Sequence, residues 1–251
     1  MQFCINKLGL NSNFSWICCF SALLRGIIFK LEELSSSDLN SLDRSKTLFV
    51  ITVSPIENHG GHVPLGMDII EGNAIKKGII GQFSEEKEDW NSVSCPDVTV
   101  GFNTFPGTGS IEIRQKVVRD LLFDYFSSLA KKGFKYVFVS GFHGGPKHVV
   151  AIDEVSEMLY KKYKMKIIAP FGYVFTRVIK GKMELPHPEL NELFKKNNLD
   201  LHGGMFETSF MLHIRPDLVK EYKNLPTADL KVKNPIKKVV ELRNAFKFGY
   251  I

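Results

Sequence analysis

The chain has 251 residues, 44% of them hydrophobic and 24% charged, with a net charge of +6 at pH 7. That length fits one domain or two small ones, and it can bury a core without a disulfide framework. The composition excludes collagenous, coiled-coil and wholly disordered classes, and no internal repeat or low-complexity tract is present.

Residues 1–28 read as an N-terminal extension and residues 29–251 as one domain with a basic C-terminal segment. Leu8 to Leu24 carries no charge, but it is too short and too interrupted by Asn and Ser to be read as a membrane span. Lys7 and the apolar stretch after it lack the Ala-x-Ala site of a signal peptide, so a packed extension or an early start is expected. The cysteines are Cys4, Cys18, Cys19 and Cys95, with no Cys-x-x-Cys pair, which fits a reducing, cytoplasmic setting rather than a zinc ribbon or disulfide scaffold.

Leu48–Val53 is a short β-branched run and reads as a buried strand. Residues 55–66, rich in Gly, Pro and His, read as loop. Asp68–Phe83 reads as helix, Ser84–Asn91 as an acidic surface loop and Val98–Val100 as a short strand. Arg114–Lys132 has helical apolar spacing and stops at Gly133. Tyr136–Val139 reads as strand, 147–163 as amphipathic helix, Lys166–Ala169 as strand and Glu207–Ile214 as a helix ended by Pro216. From Val219 to Ile251 basic residues outnumber acidic ones, eight to three. No nucleic-acid motif accompanies them, so they read as a solvated tail, with neither nucleic acid nor membrane as partner. Strands alternating with helices predict an α/β fold with a parallel sheet, whose ligand crevice lies beyond the carboxyl ends of the strands.

The chemically loaded segments follow those ends. The first is Glu57-Asn-His59-Gly-Gly-His62-Val-Pro-Leu-Gly-Met-Asp68. Glu57 and His59 point to one side of an extended backbone, and a carboxylate with an imidazole suits Zn²⁺, Mn²⁺ or Fe²⁺. The same residues fit a capping Asp with two loop side chains. In the second, Gly141-Phe-His143-Gly-Gly-Pro146, a His directly follows a buried strand; a glycine turn feeding a helix fits too. The third, His202-Gly-Gly-Met-Phe-Glu207-Thr-Ser209, opens a helix, where an acid also complements the helix dipole. Together Glu57, His59, Asp68, His143 and Glu207 suffice for a two-metal site that hydrolyses an amide-like carbon.

These motifs resemble the creatininase family of metal hydrolases. The family's Glu-Gln-His-Gly-Pro-His-Leu-Pro-Leu-x-x-Asp stands here as residues 57–68. Its Phe-Pro-Gly-Thr turn is Phe105–Thr108, its Asn-Gly-His-Gly-Gly-Asn is 141–146, and its His-Ala-Gly-x-x-Glu-Thr-Ser is 202–209. The resemblance implies a three-layer α/β/α sandwich with a mainly parallel central sheet. It implies two divalent metal ions held by Glu57, His59, Asp68 and His143, with Asp68 as the bridge, and a homo-oligomer, a hexamer in the family. Creatinine-hydrolysing members have a Glu ligand two residues after the motif His. That position is Gly145 here, and Glu207 is inferred as its replacement.

The expected activity is metal-dependent hydrolysis of a non-peptide or terminal amide or formamide bond of a small molecule, through a metal-bridging hydroxide. His62 and His202 are the catalytic candidates for moving the proton. Three departures bear on substrate. Both motif asparagines are replaced, by Gly141 and Pro146. Gly101-Phe-Asn-Thr104 stands where an acidic-His pair commonly precedes the Phe-Pro-Gly-Thr turn. The two tryptophans, Trp16 and Trp90, lie too early in the chain for the substrate-binding positions of creatinine-hydrolysing members. Creatinine is therefore not the expected substrate, and the alternative is a non-catalytic metal- or ligand-binding relative.

Overall fold

The computed structural model describes residues 28–225 except 180, 185–187, 190 and 193–201. Most of the extension and most of the basic tail lie outside the described residues.

Five strands form one parallel sheet in the order β1-β3-β2-β4-β5. They are β1 (Ile28–Lys30), β2 (Thr47–Thr52), β3 (Asn91–Ser94), β4 (Tyr136–Ser140) and β5 (Lys166–Ile168). The helices are α1 (Ser36–Ser41), α2 (Met67–Glu86), α3 (Gln115–Ala130), α4 (Pro146–Tyr163), α5 (Pro170–Ile179) and α6 (Met205–Ile214). Every residue of β2 is buried, as its continuous apolar run demands of a central parallel strand. Phe49 and Ile51 pack with Val118, Leu122 and Phe126 of α3 and Val155 and Leu159 of α4. Leu48 and Val50, pointing the other way, pack with Ile80 and Phe83 of α2. The sheet thus lies between two helical layers, and each apolar side chain taken fully from water in this way contributes about 1.5–3 kcal/mol. Among the described residues no helix is long and apolar enough to cross a membrane.

The four helices expected from the sequence match α2, α3, α4 and α6 to within three residues, whereas α1 and α5 were not foreseen. The strand expected at Val98–Val100 is a correction: Val98 makes only an isolated bridge to Val53. The strand neighbouring β2 on that side is Asn91–Ser94, whose sequence Asn-Ser-Val-Ser carries a single apolar residue and no alternation to read. The acidic loop expected over Ser84–Asn91 is shortened at both ends, since α2 runs through Glu86 and β3 begins at Asn91.

β2 sends the chain to β3 on one side, and the chain later returns to β4 on the other. The crevice of an open parallel sheet forms between such strands. Thr52 and Ser140 are paired in register, so β2 and β4 end level, and the two chemically loaded loops leave side by side.

Candidate metal centre

Three loops and two helix starts converge above β2 and β4. The loop after β2 brings Glu57 and His59, and its bend is closed by the Glu57 N–H donating to the Leu65 carbonyl at 2.9 Å. Asp68 is the second residue of α2, His143 lies three residues past β4, and Glu207 is in the first turn of α6. A Cβ on Gly203 would collide with the His59 carbonyl, and Gly203 has φ +63°, so only glycine lets the α6 loop approach this closely.

Asp68 sits between two imidazoles. Its Oδ1 is 3.2 Å from His59 Nε2 and its Oδ2 is 3.3 Å from His143 Nδ1. His143 Nδ1 is also 2.8 Å from Glu57 Oε2. The other ring nitrogens face backbone carbonyls: His59 Nδ1 that of Glu57 at 3.2 Å and His143 Nε2 that of Phe102 at 2.9 Å. Such contacts fix which nitrogen faces the centre. Among the described residues, ligand-type atoms within 4.8 Å of one another form three trios: Glu57, Asp68 and His143; His59, Asp68 and Glu207; and Glu57, His59 and His202. All five residues expected as ligands are therefore brought together, and Asp68 belongs to both trios that carry His143 or Glu207.

The centre carries a surplus of buried carboxylates. Glu57, Asp68 and Glu71 are each at most 1% exposed. Burial lowers the pKa of His59, but the Asp68 carboxylate, with Glu207 and Glu57, outweighs it and raises it to about 10. His143 is likewise raised to about 10, burial being overcome by Asp68 and Glu57. Burial raises Glu207 to about 7, with His59 opposing and Asp68 assisting. The neighbouring carboxylates thus favour the protonated form of both imidazoles.

His202 is stacked between His59, at 4.1 Å, and Phe105, at 3.8 Å. Its Nε2 lies 2.7 Å from the Asn58 carbonyl and 3.9 Å from Glu57 Oε1, and burial holds its pKa well below the ordinary value. His62 stands apart from the three trios. Its Nε2 is 2.9 Å from Thr208 Oγ1, so it ties the first loop to α6.

Three features were not foreseen. Glu71 is fully buried without a hydrogen-bond partner for either carboxylate oxygen, and burial with Glu207 and Asp68 raises it to about 10. Its position one helical turn after Asp68 was a readable signal. The Phe105 N–H donates to Glu57 Oε1, so the 101–105 loop holds Glu57 as well as His143. Beneath the centre runs a chain of polar contacts. Ser140 Oγ lies 3.0 Å from Thr52 Oγ1, Thr52 donates to Asn73 Oδ1 at 2.7 Å, and Asn73 Nδ2 donates to Asp97 at 2.6 Å. Lys76 donates to the other Asp97 oxygen, also at 2.6 Å. It joins α2, which carries Asp68, to the ends of β2 and β4.

The creatininase profile, described as creatinine amidohydrolase, matches residues 32–246. A mycofactocin precursor peptide peptidase of Mycolicibacterium smegmatis is 29% identical over 201 residues, covering 78% of this chain and 69% of the relative. A creatinine amidohydrolase of Pseudomonas putida is 23% identical over 190 residues, covering 68% of this chain and 66% of the relative. Among solved structures, a manganese creatininase superposes with a TM-score of 0.56 at 17% identity, over 89% of this chain and 96% of the other. A mutant creatininase of Zn-Zn type gives 0.57 at 16% identity, over 88% and 95%. Profile, motifs and sheet topology agree: the chain belongs to the creatininase family.

Proposed function

We propose that this chain is a divalent-metal amidohydrolase. Glu57, Asp68 and His143 would hold one ion, and His59, Asp68 and Glu207 a second. The observation that carries the reading is Asp68, which directs one oxygen to each imidazole and belongs to both trios. The donor set fits the group: two imidazoles and three carboxylates converge on one point, and mixed imidazole and carboxylate ligands suit Zn, Mn or Fe. No side chain fits at Gly145, where a Cβ would collide with the His143 ring, so Glu207 supplies the remaining carboxylate. When bound, two such ions supply an activated water and polarise the substrate carbonyl.

The residues of the chain do the rest. Asp68 keeps the two halves of the centre in register. Phe102 and Phe105 orient His143 and Glu57 through their backbone groups. His202 is the better placed of the two proton-moving candidates, since it stacks on His59 beside Glu57. His62 positions the first loop against α6.

The substrate class is a small molecule with a terminal amide, formamide or terminal peptide bond. Trp90 is committed to packing against Phe83 and Tyr136, which leaves it no role in holding creatinine. Assembly is as a homo-oligomer in the cytoplasm, which size-exclusion chromatography and fractionation test.

Elemental mass spectrometry on freshly purified protein tests the centre. About two divalent ions per protomer are expected, with hydrolysis in an amide, formamide and terminal-peptide screen. Protein that holds no ion and takes up none overturns the metal centre. Metal-replete protein without turnover across the screen favours the non-catalytic alternative.

A further inference from the structure

We propose that Asn103 is a positioning residue for His143, capping the start of α4 from outside the helix and so fixing the backbone carbonyl against which His143 is set. This inference rests on the metal reading above.

The first free N–H groups of a helix need acceptors. In α4 the residue before the helix is Gly145, which has no side chain, and the first residue is Pro146, which has no N–H. The next N–H, of Lys147, is taken by Asn103 Oδ1 at 2.9 Å. Asn103 has φ +65°, a left-handed conformation that Asn adopts more readily than most residues. The preceding residue, Phe102, supplies the carbonyl 2.9 Å from His143 Nε2. That contact takes the Nε2 proton and leaves Nδ1 facing Glu57 and Asp68.

The space is tight enough for the coupling to be mechanical. A Cβ on Gly145 would stand 2.5 Å from the Phe102 oxygen and 3.1 Å from Asn103 Cβ. The α4 start, Asn103 and the His143 acceptor are therefore closely packed, which is the basis for the proposed coupling. The two departures from the family pattern, Pro146 and the 101–104 loop, thus meet in one contact. The loop supplies the cap that Gly145 and Pro146 do not, and its backbone braces His143.

The test is calorimetric titration of the full, metal-stripped chain with Mn²⁺. Asn103→Gly keeps the left-handed backbone but removes the acceptor, whereas Asn103→Asp keeps both. Asn103→Gly is expected to weaken binding at the Glu57, Asp68 and His143 ion about 10-fold, while Asn103→Asp binds as wild type. Amide hydrogen exchange at Lys147 is expected to be slow in wild type and Asn103→Asp and fast in Asn103→Gly. Equal affinity in wild type and Asn103→Gly overturns the inference and leaves the metal reading intact, as does equal weakening in both variants. Wild-type protein that binds no Mn²⁺ overturns the metal reading itself, and this inference with it. If Asn103→Gly does not fold, fast exchange at Lys147 in wild type still overturns the cap.

Discussion

The Glu57–His143 half of the centre and the His59–Glu207 half share Asp68 but rest on different supports. Glu57 and His143 leave two adjacent strands paired in register, and the backbone of the 101–105 loop contacts both. Glu207 arrives on α6, which packs on α2 rather than on the sheet, and its carboxylate accepts from the Gly203 N–H. Strand ends fixed by a buried ladder move little, whereas a helix held by side-chain packing is easier to displace. His59 shares the β2 loop with Glu57, so the halves differ chiefly in Glu207, whose position depends on the placement of α6.

The largest expected effect breaks both halves at once. Asp68→Asn is expected to lose both ions and all measurable hydrolysis, whereas Glu207→Gln keeps the ion of Glu57 and His143. Elemental analysis per protomer reads the difference, and an Asp68→Asn protein that retains an ion would show that the two halves do not share this residue.

The next effect is proton release. His59 and His143 are both raised to about 10 in the metal-free protein, so at pH 8 both carry a proton that a metal must displace. Loading two ions is expected to expel about two protons, read by calorimetry in buffers of different ionisation enthalpy. Binding enthalpy independent of the buffer would contradict the imidazolium picture.

A smaller effect separates the halves by pH. Glu207, raised to about 7, is protonated below that value and ionised above it. The affinity of the His59–Glu207 ion should therefore fall more steeply than that of the Glu57–His143 ion as pH drops through 7, and Glu207→Gln should remove the extra steepness while the imidazole dependence common to both halves stays. The sign for stability is opposite. Because the folded-state pKa lies above the unfolded value, Glu207 disfavours the metal-free fold progressively as pH rises from about 4.5 towards 7. Melting temperature against pH, with and without Glu207→Gln, measures this.

The smallest effect probes what joins the halves. Thr52→Val removes the hydroxyl between Ser140 and Asn73 while keeping the side-chain shape. It is expected to cost about 1–3 kcal/mol in urea unfolding, because partners inside the protein are left unsatisfied. Thr52→Ser should restore most of it. A loss of stability with unchanged Mn²⁺ affinity would confine the network to scaffolding.

Legibility in the sequence followed the strength of the local signal. β2 and β4 were readable because their runs are short, β-branched and bounded by glycine-rich loops. β3 was not, since Asn-Ser-Val-Ser becomes a strand only because β1 and β2 supply hydrogen-bonding partners on both sides. The five residues of the two trios were readable as chemical types in motifs. His62 and His202 looked alike in sequence, yet the fold put one against Thr208 and the other against His59 and Phe105.

What the sequence by itself determined is therefore the class of fold, the family and the inventory of ligand types, since periodicity and motif spacing are local properties of the chain. Only the tertiary structure decided that Asp68 faces both imidazoles, that no side chain fits at Gly145, that Glu71 is buried without a partner and that Asn103 caps α4. Each of these joins segments distant in sequence, and no local propensity encodes a contact whose partners are fixed by the packing of helices on the ends of a sheet.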